Sequence, residues 1–406
     1  MPIVSLLPDD LWPPGAEKLK NPDGWPDFQY RSKQMQLQSD PNDERLIATI
    51  RGLLEENYDL GRLRRVRQLF GGYCNKSYAV WIAARGRTRR YFLRLYQPQT
   101  AESEILFEHA LLNHLRKNGF PLAAAIIPCR SGATVARTAA PENHRASIAL
   151  WALFEFLDGE DKYSWTDTNL TDKEFISAAE TLARLHHCGH GFIKPPRADR
   201  VQPPIMVYIR TFQPAFSVFL SQAGDRRCDR LFSDNFEAIC RALNAAAALD
   251  GEFQGMQKIP IHCDYHPGNL KYRAEKCVGI FDFDWSKIDY RLFDVALALV
   301  YFTSIWDEAE AGLRPDKFSL FLRSYNDACR GLANINPLTE QEERCLVPML
   351  SIANLYVLNW DLVDFYNASE PDDDKFFRFF DHNIGLMHWI APHQADLKQA
   401  GRLLSL

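Results

Sequence analysis

The sequence predicts an α+β fold in two lobes, a small lobe built on an antiparallel sheet and a larger lobe that is mostly helical. Residues 60–157 contain several short apolar runs separated by turns, which is typical of antiparallel strands. Residues 158–406 instead contain long segments with apolar residues at helical spacing. A chain of 406 residues that is 46% hydrophobic can bury a core in each lobe. We expect an extended arm over residues 1–42, a first lobe over 43–157 and a second lobe over 158–406.

The first lobe is predicted to begin with a helix and to continue as a sheet that contains one further helix. Residues 43–58 have an acidic start and apolar residues at helical spacing. YAVWIAA and RYFLRLY are rich in β-branched and aromatic residues, and the RGR between them predicts a hairpin connection. ESEILFEHALLNHLRKNG is predicted to be a helix, because Gly119 ends it and Pro121 follows. TVART and ASIALWALFEFL are predicted to be strands.

The second lobe is predicted to be helical on both sides of a short region of strands. DKEFISAAETLARLHHCGHGF has the period of a helix, and residues 205–250 and 291–400 are expected to be helical too. Between them, KIPIHCDYHPGNLKY and CVGIFDFDWSKID each predict a short apolar strand that ends in acidic residues. FDVALALVYF is predicted to be a buried helix, and no apolar stretch is expected to reach the length of a membrane span.

The composition argues against several classes of protein. A net charge of −5 does not favour general nucleic-acid binding. The nine cysteines form no C-x-x-C pair, which argues against a zinc site and a disulfide framework. Since the N-terminus lacks a basic start and a long apolar run, we expect a cytoplasmic protein with reduced thiols. Basic residues exceed acidic ones by 16 to 11 in residues 1–100, whereas acidic residues exceed basic ones by 16 to 9 in residues 301–406. This asymmetry fits either an anionic cofactor with a cationic substrate or ordinary solvated surface.

Polar residues with catalytic chemistry are concentrated in the stretch IHCDYHPGNLK. His262 and Asp264 are followed, after four further residues, by Asn269. This is the H-x-D-x-x-x-x-N spacing of the protein-kinase catalytic loop, with Cys263 in the place of arginine. Further along the chain, Asp282 opens DFD, where a protein kinase has the aspartate of D-F-G. The joint spacing predicts a site for phosphoryl transfer.

The residue types at these positions fit that chemistry. Magnesium prefers hard oxygen ligands and is held by few protein groups, so Asn269 and Asp282 are the predicted metal ligands. Asp264 is predicted to orient the acceptor hydroxyl or to take its proton. A zinc site would need more ligands than H-x-D-x-H supplies, and a serine hydrolase would need a G-x-S-x-G elbow, which the sequence lacks.

Two neighbouring side chains are predicted to support the site. His262 is expected to pack under the loop and to hydrogen-bond its backbone. Asp284, the second acid of DFD, is expected either to assist the metal through water or to cap the loop together with Lys287.

With these motifs the chain resembles the aminoglycoside phosphotransferase, choline kinase and homoserine kinase-like superfamily of small-molecule kinases. IHCDYHPGNL resembles the catalytic loop of that family, and GIFDFDW resembles its I-D-F/W-D/E motif. The resemblance covers about residues 60–300. It implies a protein-kinase-like fold, ATP and Mg²⁺ as cofactors, a nucleotide-binding first lobe and a small-molecule hydroxyl acceptor. It implies neither a nucleic-acid nor a membrane partner, and it leaves the oligomeric state open.

The resemblance also implies which residues contact the nucleotide. GGYCNKSYAV resembles the phosphate turn, which assigns nucleotide contacts to Gly72, Asn75 and Ser77. LFEFLDGED resembles the hinge strand, whose backbone at Glu155 and Leu157 would meet adenine.

One position departs from the family pattern. The third strand carries Arg94 where the family has the lysine that grips the phosphates. Arginine can hold phosphates with two parallel hydrogen bonds or can pair with Glu108, the expected helix glutamate. Glu104 is the rival one turn away, but the spacing to the end of the helix favours Glu108. Asp294 matches the family's Asp-x-Ala and is expected to be structural.

The acceptor site is expected in the helical lobe, and its candidates are His266, Trp306, Trp360 and Asp364. Trp360 and Asp364 are four residues apart, so on a helix they share one face. Carboxylates beside aromatic rings suit an ammonium-bearing alcohol, although the rings could equally be core and the acids solvated. We expect an amino alcohol or hydroxy amino acid, such as homoserine or choline. The alternatives are a sugar, a methylthioribose-like compound or an aminoglycoside as acceptor, a nucleotide-binding pseudokinase, or AMP transfer to a protein.

Overall fold

Residues 44–69, 75–139, 148–306 and 310–402 are described by the structure, which is a computed structural model. The helices are α1 (Glu44–Asn57), α2 (Glu102–Lys117), α3 (Asp172–Gly189), α4 (Ile205–Tyr208), α5 (Phe212–Gln222), α6 (Arg227–Ala248), α7 (Arg291–Thr303), α8 (Pro315–Arg330), α9 (Glu340–Asn367), α10 (Asp373–Ile390) and α11 (Gln394–Arg402). The strands are β1 (Arg62–Leu69), β2 (Lys76–Ala84), β3 (Arg87–Leu95), β4 (Ile126–Ile127), β5 (Ala136–Ala139), β6 (Ile148–Glu155), β7 (Lys258–Ile261), β8 (Leu270–Arg273), β9 (Lys276–Ile280) and β10 (Lys287–Tyr290). The arm expected over residues 1–42 lies outside the described residues.

The first lobe is an antiparallel sheet in the order β1-β2-β3-β6-β4, with β5 also paired to β6. The β2–β3 hairpin turns at Arg85 and Gly86, both with positive φ, which matches the right-handed twist of the flanking strands. One face of the sheet buries Ile50 and Leu53 of α1 in a separate small core. The opposite face carries Arg94, so the sheet directs this cation away from α1.

The centre of the second lobe is formed by α3 and α7. A capping box starts α3, because the Thr171 hydroxyl accepts the Glu174 N–H at 3.3 Å and the Glu174 carboxylate accepts the Thr171 N–H at 2.9 Å. α7 is buried along its whole length, as the apolar run in the sequence predicted. These two helices pack beneath the strands that carry the catalytic loop and so position it.

The prediction that no apolar stretch reaches the length of a membrane span is wrong for helix α9. Its 28 residues are long and apolar enough to cross a membrane, contrary to the expectation from the sequence. However, 83% of its apolar window is buried inside the protein. Burial on all sides explains this composition, since a helix surrounded by other helices has no face that needs polar residues.

The strands near the catalytic loop form two antiparallel pairs rather than the two single strands that the sequence predicted. β7 pairs with β10, and β8 pairs with β9. β8 and β10 were missed because each is only four residues long and carries charged residues at half of its positions. The Phe281 N–H donates to the Asn269 carbonyl at 3.1 Å, so the segments after β7 and after β9 lie side by side.

Candidate active site

The loop between β7 and β8 is held at its base by Asp294, a fully buried carboxylate in the first turn of α7. Its oxygens accept the N–H groups of His262 at 2.9 Å and Cys263 at 2.8 Å, and the His186 ring lies 3.0 Å away. Burial raises the pKa of Asp294, but the hydrogen bonds from His186 and the loop outweigh it and hold the pKa below its usual value. Cys263 has a left-handed backbone with φ 63°, a costly conformation for a non-glycine residue that this hydrogen bond secures.

His262 is fully buried under the loop, but its side chain bonds a different segment from the one expected. Its Nε2 lies 3.1 Å from the Phe281 carbonyl, rather than bonding the backbone of its own loop. The ring packs against Phe283 with the centroids 4.7 Å apart. Burial lowers the pKa of His262, which keeps the ring neutral. His262 therefore fastens the catalytic loop to the segment that carries Asp282.

Asp264 and Asn269 form the centre of the loop. The Asn269 amide donates to both the backbone carbonyl and the carboxylate of Asp264, each at 2.9 Å. His266 Nε2 lies 3.6 Å from the same carboxylate. Burial raises the pKa of Asp264, but the charge and hydrogen bond of His266, together with the hydrogen bond from the Asn269 amide, bring it below its usual value. Asp264 is therefore ionised, and Asn269 Oδ1 makes no hydrogen bond to the described residues.

Arg94 lies at the junction of the two lobes and is almost fully buried. Its Nη1 lies 3.3 Å from Glu108 and contacts Asp284, and its Nη2 lies 3.6 Å from Asp282. The Tyr96 hydroxyl donates to the other oxygen of Glu108 at 3.2 Å. One guanidinium therefore meets three carboxylates, and the structure places Glu108, not Glu104, against it.

The three carboxylates around Arg94 share one guanidinium group, which does not neutralise all of them. Burial, and then the charge of Asp284, raises the pKa of Asp282 to about 7 and the pKa of Glu108 to about 7. Asp282 also has a left-handed backbone, with φ 67°, which directs the chain into the turn that follows. Such a site favours an added cation, and the Asp282 carboxylate with Asn269 Oδ1 offers the hard oxygen donors that suit Mg²⁺.

The sequence suggested two roles for Asp284, and the structure contradicts one of them. It contacts Arg94 rather than capping the loop with Lys287. Lys287 is buried and instead lies 3.2 Å from Asp289, and it donates to the Pro203 carbonyl at 3.1 Å. The capping prediction is therefore wrong, because the buried ammonium group already pairs with Asp289 and the Pro203 carbonyl.

The residues expected near the phosphates lie at the start of β2. The Asn75 amide contacts Asp284, which ties the end of the phosphate turn to the second lobe. Ser77 is paired directly opposite Arg94 in the sheet, so both side chains lie on the same face. Gly72 lies outside the described residues.

The hinge between the lobes follows β6. The Glu155 N–H donates to the Ala125 carbonyl at 2.8 Å, so only the carbonyl of Glu155 can face a purine base. Its exposed side chain lies 3.3 Å from Arg116. The Leu157 N–H makes no backbone hydrogen bond to any described residue, and the Leu157 side chain packs against Gly279. The backbone of the hinge thus offers one hydrogen-bond acceptor, the Glu155 carbonyl, and one donor, the Leu157 N–H.

The acceptor candidates of the helical lobe fall into two separate groups. Trp360 packs against Trp285 with the centroids 4.5 Å apart, whereas Trp306 stacks on His382 at 3.6 Å. Asp364 is half-buried on the same face of α9 as Trp360, and its Oδ1 has no hydrogen-bond partner among the described residues. Burial raises the pKa of Asp364 to about 7.

Two further residues of the helical lobe were not chosen from the sequence, and the first of them lies beside Asp264. Tyr301 is buried beside it, and burial followed by the charge of Asp264 raises the pKa of the phenol. Asp361 is also buried, accepts a hydrogen bond from Asn383 at 2.6 Å, and has its pKa raised by burial. Tyr301 could not be recognised from the sequence, because it lies in an apolar run. Asp361 could have been recognised, because it is a charged residue in an otherwise apolar stretch of α9.

Arg200, in the segment between α3 and α4, also supports the site. It donates to the carbonyls of Ser286 and Phe283, the latter at 2.9 Å, and lies over the Phe107 ring at 5.0 Å. Burial lowers the pKa of Arg200, and the nearby charge of Glu104 opposes this shift. Arg200 therefore fixes the turn that directly follows Asp282, and no local sequence pattern could have identified it.

We expect Arg200→Ala to lower kcat about tenfold and to lower the free energy of unfolding by about 1–3 kcal/mol, because it leaves the carbonyls of Phe283 and Ser286 without this donor and Glu104 without a cationic neighbour. Turnover and urea denaturation of the same preparation would measure both effects. Lys194→Ala, which removes only an exposed ion pair with Asp199, is the matched control. Normal turnover in Arg200→Ala would show that the turn holds its shape without Arg200.

The geometry agrees with comparisons to known proteins. A family model described as a phosphotransferase enzyme family matches residues 65–323, which is more than half of the chain. The chain belongs to this family. A homoserine kinase of Afipia carboxidovorans is 26% identical over 315 residues, which cover 77% of this chain and 82% of the relative. The protein is a kinase that transfers a phosphoryl group from ATP to a hydroxyl group of a small molecule.

Solved structures of other kinases share the fold. A microcompartment-associated aminopropanol kinase has a TM-score of 0.60, and an amicoumacin kinase in complex with AMP-PNP, Ca²⁺ and Ami has a TM-score of 0.61. Each is 16% identical, and each match covers 87% of this chain and 98% of the other. The predicted bilobal, protein-kinase-like α+β fold of the kinase is confirmed.

Proposed function

We propose that this kinase is Mg²⁺-dependent and phosphorylates a small amino alcohol or hydroxy amino acid. The observation that carries the proposal is the meeting of Asp264, Asn269 and Asp282 beside Arg94, which supplies a hydroxyl-orienting carboxylate, metal-ligand oxygens and a phosphate-binding cation in one cleft. The names of the relatives support the acceptor class, since homoserine and aminopropanol both carry an amino group and a hydroxyl group.

The first lobe, residues 43–157, is proposed to bind the nucleotide, and residues 158–406 to carry the catalytic loop and the acceptor site. Arg94 would bind the phosphates, and Glu108 would hold its guanidinium in place. The other proposed nucleotide contacts are Gly72, Asn75, Ser77 and the backbone of Glu155 and Leu157. Asn269 Oδ1 and the Asp282 carboxylate would hold Mg²⁺, and the ion would supply positive charge that neutralises the phosphates.

The acceptor hydroxyl would bind at Asp264 and attack the γ-phosphorus in line. A new oxygen–phosphorus bond forms, the bond to the β-phosphate oxygen breaks, and the hydroxyl proton passes to Asp264. Because the pKa of Asp264 is held below its usual value, this carboxylate is a weak base. It therefore orients the hydroxyl first and takes the proton late, as the loose transition state of phosphoryl transfer allows.

Two carboxylates of α9 support an ammonium group on the acceptor. Asp361 is buried and Asp364 is half-buried. Both have raised pKa values, and the charge of Lys375 opposes both shifts. Burial, and then the charges of Asp264 and of Asp361, raise the pKa of the Tyr301 phenol. A buried carboxylate that lacks a close cationic partner is stabilised by an incoming ammonium group.

An acceptor panel tests the proposed function. We would measure ADP release with Mg²⁺ and ATP against amino alcohols, hydroxy amino acids, sugars and aminoglycosides, and identify products by phosphorus NMR. The proposal expects at least tenfold stimulation by an amine-bearing alcohol and a phosphomonoester product. Stimulation by neutral sugars alone would overturn the acceptor class, and transfer of AMP or nucleotide binding without turnover would overturn the reaction.

The pH dependence of acceptor binding gives a separate prediction. A carboxyl group is charged above its pKa, so Asp364, with a pKa of about 7, attracts an ammonium group more strongly as the pH rises through 7. We expect KM for an amino alcohol to fall about tenfold between about pH 6 and about pH 8. KM for ATP is not a suitable control, because Asp282 and Glu108 at the nucleotide site also have pKa values of about 7. Asp364→Asn is expected to flatten the profile, and an unchanged profile in this variant would assign the titration elsewhere.

A further inference from the structure

Asp284 belongs to the second lobe, but both oxygens of its carboxylate contact side chains of the first lobe. Its Oδ2 accepts a hydrogen bond from the Asn75 amide, and its Oδ1 accepts one from Arg94 Nη1. The side chains of Asp284 and Arg94 are only 17% and 8% exposed, so water and salt screen this ion pair far less than a surface pair. We call these three residues the Asp284 junction.

On the first-lobe side, the junction connects three elements. The Asn75 side chain, just before β2, also accepts the Gln97 N–H at 3.1 Å, so it links the segment after β3 to Asp284. Arg94 on β3 lies 3.3 Å from Glu108 on α2, through the same Nη1 that contacts Asp284. The start of β2, the end of β3 and α2 therefore converge on one carboxylate.

On the second-lobe side, the turn that carries Asp284 is held in place. Arg200 donates to the carbonyls of Phe283 and Ser286, which lie on either side of Asp284 in the sequence. The Ser286 N–H donates to the Phe283 carbonyl at 3.0 Å, which closes the turn. Because the backbone on both sides of Asp284 is held, its carboxylate is a fixed point of the second lobe, and its position limits where the first lobe can lie.

The junction also accounts for the arginine at position 94. Arg94 Nη1 is shared between Glu108 and Asp284, while Nη2 lies 3.6 Å from Asp282. A guanidinium group carries these nitrogens on one planar frame, so one nitrogen can be anchored while the other remains available to a phosphate. A lysine has a single nitrogen for both tasks. Asp284 therefore helps to anchor the nitrogen that is turned away from Asp282.

We propose that Asp284 is a positioning residue that holds the first lobe at the distance from the catalytic loop that phosphoryl transfer requires. Through Asn75 it fixes the start of β2, and through Arg94 it fixes the phosphate-binding guanidinium group. This inference rests on the proposed function, from which it takes the roles of Arg94 and of the catalytic loop, and it gives Asp284 a role that needs no contact with the substrates. Position matters because a displacement of about 1 Å can cost about 10²-fold in rate.

Hydrogen–deuterium exchange of the full chain without nucleotide tests the junction itself. In Asp284→Ala the Asn75 side chain loses its anchor, so we expect the backbone N–H of Gln97 to exchange about tenfold faster. Asp234→Ala, at an exposed position on α6, is the matched control and should leave this exchange unchanged. Exchange at the wild-type rate in Asp284→Ala would show that Asn75 is held without Asp284 and would overturn the junction.

A double-mutant cycle tests whether the junction acts in catalysis. We expect Asp284→Ala to lower kcat about 30-fold and Asn75→Ala to lower it about tenfold. In Asp284→Ala, KM for ATP should change less than about threefold, because the binding groups are less ordered but one carboxylate no longer repels the phosphates. Since Asn75 acts on kcat through Asp284, the double variant should lose no more than Asp284→Ala alone. Additive losses, about 300-fold, would overturn the proposal.

A magnesium titration separates positioning from support of the metal. Both oxygens of Asp284 already accept first-lobe donors, so the loss of kcat in Asp284→Ala should persist at saturating Mg²⁺. Recovery of kcat at high Mg²⁺ would assign Asp284 to the metal and would overturn the proposal.

The same measurements distinguish this inference from the proposed function. If the wild type phosphorylates no acceptor, the proposed function fails, and the exchange at Gln97 still decides whether the junction exists. If the wild type phosphorylates an amino alcohol or hydroxy amino acid and Asp284→Ala keeps full kcat, the proposed function stands and the positioning role is overturned.

Discussion

Asp264→Asn is expected to lower kcat by roughly 10²- to 10⁴-fold, while the affinity for the nucleotide changes by less than about threefold. The variant keeps the shape of the side chain, and the backbone carbonyl of residue 264 still accepts the Asn269 amide. What is lost is the charged oxygen that orients the acceptor hydroxyl and receives its proton. Because the carboxylate lies 3.6 Å from His266, the asparagine also leaves that ring without its anionic neighbour.

Steady-state kinetics with a saturating acceptor and titration with a nonhydrolysable ATP analogue would measure the two quantities. Asp234→Asn, an exposed position on α6, is the matched control and should retain full activity. If Asp264→Asn retains kcat within about tenfold of the wild type, another group must handle the proton, and Asp264 would have only a positioning role. If the nucleotide affinity collapses together with kcat, the substitution has disturbed the metal-binding side of the cleft.

The parts of this site that are close in sequence could be predicted from spacing. His262, Asp264 and Asn269 lie on one short loop, so their separation along the chain largely determines their separation in space. The helices followed from apolar periodicity, and α7 was recognisable because all of its faces are apolar. Arg94 and Glu108 were paired correctly from the resemblance, since a strand followed by a helix places them together.

The contacts that cross between lobes could not be predicted in this way. Asn75 and Asp284 are 209 residues apart in sequence, and nothing local in either segment specifies the other. The contacts of Asp284 with Arg94 and Asn75 were therefore not predicted, and the predicted partner, Lys287, was wrong. The role of Arg200 could not be predicted for the same reason, because it donates hydrogen bonds to two carbonyl groups that are distant in sequence. Such contacts depend on how whole elements pack, and local patterns carry little information about that.

The acceptor region shows a further limit. The sequence drew attention to α9, where Trp360 and acidic residues are conspicuous, but the charged residues of a cavity beside Trp306 are Asp167, before α3, and Arg378 on α10. On α10, the buried residues Phe376, Phe380 and Ile384 follow each other at helical spacing, whereas Arg378 is exposed. That pattern is the same for a helix in the core and for a helix that lines a binding site. Only the neighbouring residues distinguish the two.

Asp294→Ala is expected to lower the free energy of unfolding by about 3–5 kcal/mol, the largest effect on stability that we predict. The carboxylate is fully buried and accepts two backbone N–H groups, while His186 contacts it at 3.0 Å. Alanine leaves these donors without acceptors in a dry interior. It also removes the hydrogen bond that secures the left-handed backbone of Cys263, so the loop should shift and kcat should fall as well.

Urea denaturation at several pH values would test this prediction and its electrostatic origin. The pKa of Asp294 is below its usual value in the folded protein, so its contribution to stability is complete above the unfolded pKa of about 4 and is lost as the pH falls through the lower folded value. The wild type should therefore lose stability on acidification more steeply than Asp294→Asn, which keeps one acceptor oxygen. The loss in Asp294→Asn at neutral pH should be smaller than in Asp294→Ala. If both variants unfold like the wild type, the loop is held by β7 and β10 alone, and the buried carboxylate contributes nothing to its position.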